Sequence, residues 1–165
     1  MLARISGSMV ALAILAGVAG AQDLSKKAYK DSVKAVDFSV HLFFEESGEL
    51  SPDIFKLEEF GVWNFSAHWK GNNGGKFSGF LVRVKMQSRA RGDVFAEGRQ
   101  AQLVLRDRKT KKTLRSWIIS DVYVSDKGIG YRAQFFTGLD CNLMEVALIA
   151  DGTRITRDLP FACGE

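Results

Sequence analysis

The strongest constraint on this chain is a repeated two-residue alternation of apolar and polar side chains. Val36, Phe38, Val40, Leu42 and Phe44 alternate with Asp37, Ser39 and His41. Successive side chains of an extended strand point to opposite faces, so such a run covers a core with one side and meets water with the other. The rhythm returns at Trp63, Phe65, Ala67 and Trp69 against Asn64, Ser66 and His68, and at Phe80, Val82, Val84 and Met86 against Leu81, Arg83, Lys85 and Gln87. It continues through Ala101, Leu103 and Leu105, through Leu114 to Val124 with a break near Ser120, and through Ile129 to Thr137.

Glu45 to Pro52 reads as a polar loop, and Gly71 to Gly75, Arg108 to Lys112 and Asp126-Lys127-Gly128 read as turns. About seven to nine short strands at regular spacing, almost without helix, predict an all-β fold. The expected form is an antiparallel two-layer sandwich of the immunoglobulin-like kind, with a small β-barrel as the alternative.

The last strands form a hairpin bracketed by the only two cysteines, Cys141 and Cys163. Asp151-Gly152 lies between two β-prone runs and is a strong turn signal. A two-residue loop would set Ala150 opposite Thr153 and put the cysteines on different faces. A three-residue loop from Ala150 to Gly152 sets Ile149 opposite Thr153, Glu145 opposite Arg157 and Cys141 opposite Phe161. The cysteines then share a face as diagonal neighbours, and this second register is the one expected. A disulfide between them would restrict the unfolded chain by roughly 3 kcal/mol.

Disulfides persist in oxidising compartments, and the N-terminus points to one. Met1 to Ala21 carries one basic residue, Arg4, then a small apolar run from Met9 to Val18, then Ala19-Gly20-Ala21. This is the pattern of a secretory signal peptide cleaved after Ala21, of bacterial type, with a periplasmic or secreted product. No later apolar stretch is long enough to span a bilayer, so the mature chain is expected to lack a transmembrane segment. Residues 22–35 read as an N-terminal segment, a short helix or disordered, and 36–165 as a single β-sandwich domain.

Charge is unevenly distributed. Arg83 to Arg115 holds eleven basic residues against three acidic ones, within a chain whose formal net charge is +4. Arg106, Arg108, Lys109, Lys111, Lys112 and Arg115 cluster at an expected hairpin tip, where they would attract an anionic partner: a lipid headgroup, an acidic polysaccharide or an acidic protein face. Lysine and arginine on exposed strands also guard against edge-to-edge aggregation. Nucleic acid is not expected as the partner of an exported chain.

Signals for chemistry are weak. His41 and His68 both fall on the polar side of their strands, with Asp37 near His41, and are the only candidates for a metal; without a spacing motif they predict none. There is no Gly-x-Ser-x-Gly elbow, no phosphate loop and no singled-out carboxylate pair, so neither a catalytic residue nor a cofactor is expected. Phe60, Trp63, Phe65, Trp69, Phe77 and Phe80 suggest a sugar-stacking platform, but the alternation assigns Trp63, Phe65 and Trp69 to the core. The resulting expectation is a non-catalytic binding or accessory protein that contacts another envelope or extracellular protein. A binder of carbohydrate or anionic surfaces, acting through the basic hairpin and the aromatic residues, is the alternative.

Overall fold

The computed structural model describes residues 32–138 and 143–162. Residues 1–21, read from sequence as a signal peptide, most of the expected N-terminal segment and both cysteines lie outside the described residues. Among those described, the protein is all-β. Its strands are β1 (Val33–Phe44), β2 (Glu49–Leu50), β3 (Gly61–Trp63), β4 (Ser66–Trp69), β5 (Asn72–Lys76), β6 (Gly79–Ser88), β7 (Val94–Asp107), β8 (Thr113–Val124), β9 (Ile129–Thr137), β10 (Met144–Ala150), β11 (Thr153–Leu159) and β12 (Phe161–Ala162). A single 3-10 turn, Ile54–Lys56, is capped by the Asp53 side chain.

Three four-stranded sheets result, ordered β2-β1-β6-β9, β11-β10-β7-β8 and β12-β3-β4-β5. All pairings are antiparallel except that of β12 with β3. The first two sheets share one core, because alternation places Phe38, Val40 and Leu42 of β1 and Phe80, Val82, Val84 and Met86 of β6 in one cluster with Leu103 and Leu105 of β7 and Val146 and Leu148 of β10. Full burial of each such side chain stabilises the fold by about 1.5–3 kcal/mol. The third sheet caps one end through a chain of rings: Phe80 lies 5.9 Å from Phe161, Phe161 lies 5.5 Å from Phe77, and Phe77 lies 5.8 Å from Phe65.

Several expectations need correction. β1 begins three residues before the expected domain start, and Val36 is an extra residue in a bulge between Ala35 and Asp37. The run from Trp63 to Trp69 is not one strand. Asn64 and Phe65 both adopt positive φ, 47° and 61°, and turn the chain so that Trp63 pairs with Ser66. The expected turn at 71–75 is mostly β5. The break expected near Ser120 is a local distortion inside β8, where Asp121 has φ 53° and the ladder with β7 shifts.

The C-terminal hairpin adopts the register that was not preferred. Ala150 pairs with Thr153 across a two-residue loop, with Asp151 at φ 48° and Gly152 at φ 73°, the geometry that matches strand twist. Glu145 therefore faces Asp158, and Arg157 faces Val146. The ladder ends at Met144 and Leu159, after which the chain leaves to pair with β3 as β12.

The first two sheets meet at two corners. β8 and β9 are the arms of one tight hairpin, closed by the Ser125 amide donating to the Ile129 carbonyl, yet they pair in different sheets. The two arms run close at Gly130, where a Cβ would fall 2.2 Å from the Tyr123 carbonyl oxygen. At the other corner Arg157 of β11 reaches β1. It donates to the Phe38 carbonyl and to Asp37 Oδ1 at 2.8 Å, while its guanidinium lies 4.8 Å from the centre of the Phe38 ring. Gly130→Ala must push one backbone off the other. Urea unfolding should show a loss of about 1–3 kcal/mol with an unchanged slope; a midpoint equal to the parent's would contradict the close approach.

Candidate functional site

The β7–β8 turn is built locally. Asp107 Oδ1 accepts from the Thr110 amide at 2.6 Å and the Thr110 hydroxyl at 2.9 Å, and the Lys111 amide donates to the Asp107 carbonyl. These hydrogen bonds from Thr110 hold the Asp107 carboxyl below its ordinary value. Lys111 sits at φ 60°, a region that a β-carbon disfavours, and its side chain folds back over the sheet.

The six basic residues singled out by sequence are divided by the fold. Arg108 pairs with Asp158 at 3.2 Å, and Lys111 with Glu145 at 3.0 Å. Arg106 stands opposite Glu145 in the β7–β10 ladder, and its Nε is buried without a hydrogen-bond partner among the described residues. Lys109, Lys112 and Arg115 remain exposed, with no ion pair among the described residues. Half of the cluster therefore lies against the outer side of the β11-β10-β7-β8 sheet rather than projecting from a tip.

The histidines are not brought into one described cluster. His41 Nε2 lies 2.9 Å from Ser39 Oγ and its Nδ1 lies 2.8 Å from the Ser51 carbonyl oxygen, so both ring nitrogens are engaged. His68 lies on β4 against Gly61, where an added Cβ would meet its ring at 2.6 Å. Asp37 is taken by Arg157. Among the described residues no three His, Cys, Asp or Glu side chains are grouped as a metal would need.

Aromatic residues depart furthest from expectation. Trp63 is 57 % exposed and Phe65 40 % exposed, because the turn at Asn64 and Phe65 places them outside while Val62 and Ala67 fill the inner side. Trp69, Phe77 and Phe80 are core residues or pack against it. A second exposed set was not singled out by sequence. On the outer side of the first sheet Phe43 pairs beside Leu50, Leu81 beside Phe135, and Lys85 beside Tyr131. Phe43 and Phe135 meet edge to face at 5.5 Å, and Arg83 lies 5.1 Å over the Tyr131 ring. Leu50, Phe135, Tyr131 and Ile129 are all exposed. The signal was present in β9, where Ile129, Tyr131, Ala133 and Phe135 alternate with Gly130, Arg132 and Gln134, so its apolar side chains occupy the face that looks away from the core.

Two measurements check this description. Trp63 should account for most of the tryptophan emission that acrylamide quenches, since Trp69 and Trp117 pack against the core; Trp63→Phe should leave a largely protected signal. Depression of the Asp107 carboxyl implies stability that is complete above its unfolded value of 3.8 and is lost as pH falls through the lower folded value. Asp107→Asn should flatten that acid limb of the urea-unfolding profile, and an unaltered limb would count against the turn. A scan against protein-family models finds no match to this chain, and a search of curated proteins finds none either.

Proposed function

We propose that this chain is an exported, non-catalytic binding protein, a two-layer β-sandwich whose signal peptide is removed after Ala21. In this reading the β2-β1-β6-β9 and β11-β10-β7-β8 sheets are the layers, Gly130 and Arg157 draw their corners together, and Cys141 and Cys163 are joined. The partner is another envelope or extracellular protein, held on the outer face of the first sheet. The observation that carries this is the exposed Leu50, Phe135 and Tyr131, with the half-buried Phe43 and Leu81 between them, on one sheet face. Contiguous exposed apolar side chains mark contact surfaces, and this set has the anatomy of one: an apolar centre flanked by Arg83 and Lys85. That flank fits a partner with an acidic rim.

A second reading is supported by Trp63 and Phe65. Phe65 holds a positive φ while its ring stays partly exposed, which is costly for a bulky residue, and the pair could stack on a sugar. The two readings use different residues. Capture from the native envelope fraction should recover one stoichiometric protein, with faster association at low salt. Tyr131→Glu with Leu50→Glu should abolish that recovery without lowering the melting temperature, whereas Trp63→Ala should leave it intact. Retention by the double variant would sink the first reading; loss with Trp63→Ala alone would favour the second.

A further inference from the structure

We propose that the outer face of the β11-β10-β7-β8 sheet carries a preset clamp for the carboxylates of an acidic polysaccharide, formed by Lys111, Arg154 and Arg106 around the buried Glu145. This site lies on the opposite layer from the protein-binding face and does not depend on it.

Glu145 is 6 % exposed, yet it points away from the core that its neighbours Met144 and Val146 enter. A buried carboxylate needs partners, and this one has more than neutrality requires. Its two oxygens take separate cations: Lys111 Nζ at 3.0 Å on Oε2 and Arg154 Nη2 at 3.3 Å on Oε1. Arg106 is its neighbour across the ladder. Asp158 stands opposite Glu145 in the β10–β11 ladder and pairs with Arg108, so two carboxylates sit among four cations.

Two of these cations still present donors to solvent. The Lys111 side chain is 63 % exposed and that of Arg154 is 40 % exposed. One ammonium hydrogen is spent on Glu145, leaving two. Arg154 donates through Nε to Thr156 and through Nη2 to Glu145, leaving further guanidinium hydrogens free. Long cationic side chains lose rotamer freedom when they grip an anion. Here Glu145 has already removed that freedom, so an incoming carboxylate meets ordered donors and excess positive charge.

Lys111 is held by the turn itself: at φ 60° its amide donates to the Asp107 carbonyl, and from there its ammonium reaches Glu145.

The surface between the cations selects the kind of anion. Val104 and Ala147 are buried beneath this row, Gln102 Nε2 donates to Ser116 Oγ at 2.7 Å, and Gln102 is flanked in the ladder by the exposed Ile118 and the half-buried Ile149. Attachment to a bilayer draws on apolar side chains that enter the headgroup layer as well as on charge. Hydroxyl and amide groups with one exposed isoleucine beside fixed cations suit a chain of sugar rings, which bear hydroxyls and carboxylates on their edges and an apolar C–H face.

Affinity electrophoresis of the purified protein through gels containing polygalacturonate tests this, with parallel gels containing neutral dextran or polyglutamate and flotation on phosphatidylglycerol vesicles. Polygalacturonate should retard the protein, and Lys111→Gly and Arg154→Gln should each weaken binding about tenfold. Glycine suits φ 60°, but losing Lys111 leaves the buried Glu145 one partner fewer, so binding is compared at a temperature where each variant's circular dichroism matches the parent's, which separates lost binding from lost folding. Lys109→Gln with Lys112→Gln should weaken binding much less, and Glu145→Gln should weaken it by releasing the pinned side chains. The clamp is overturned if Lys111→Gly binds as the parent does, or if the Lys109 and Lys112 pair matters as much. It is also overturned if Glu145→Gln binds more tightly, as unanchored charge alone would require, or if polyglutamate or the vesicles bind as well as polygalacturonate.

Discussion

Burial of the inner faces of β1 and β6 against those of β7 and β10 is the interaction on which the remaining structure rests. Phe38, Val40, Leu42, Val82, Val84, Leu103, Leu105 and Leu148 are essentially inaccessible to water. No single strand could achieve this alone, since each has only one apolar side to cover. Once the faces are in contact, the chain must cross between sheets. It does so between β6 and β7 and again at the β8–β9 turn, just beyond which Gly130 passes so near the Tyr123 carbonyl that only a residue without a Cβ fits.

The opposite corner is closed by charge and hydrogen bonding rather than by a turn. Arg157 spans from β11 to β1, stacks over Phe38 and Phe55, and engages both a main-chain carbonyl and the Asp37 carboxylate. A guanidinium suits this task because it is planar and presents several donors at fixed angles. The expected cross-strand partner of Arg157 was Glu145. The two-residue loop moves the register by one and frees Arg157 to face the other sheet, while Glu145 receives Lys111 and Arg154 instead.

The two outer faces consequently differ in chemistry. On the first sheet, aromatic and aliphatic side chains remain uncovered beside Arg83 and Lys85; on the second, a carboxylate is buried among cations above small residues. An apolar face open to water is a liability for aggregation, and a buried carboxylate costs desolvation unless it is well paired. Both are therefore surfaces on which binding is more natural to seek than in the core.

The amino-acid sequence by itself determined that this is a β protein, where β6, β8 and β9 run, and that Asp151-Gly152 is a turn. These follow from side-chain periodicity and from residues suited to positive φ, which are local properties. Alternation misled at Trp63 to Trp69, because a two-residue turn exchanges the parity that faces inward, and only Asn64 within the run hinted at it. Which runs pair, which faces stay open and which cations reach Glu145 were decided by tertiary structure. Those outcomes depend on ladder register and on contacts between residues far apart in the chain, and a shift of one residue reverses every side chain on a strand.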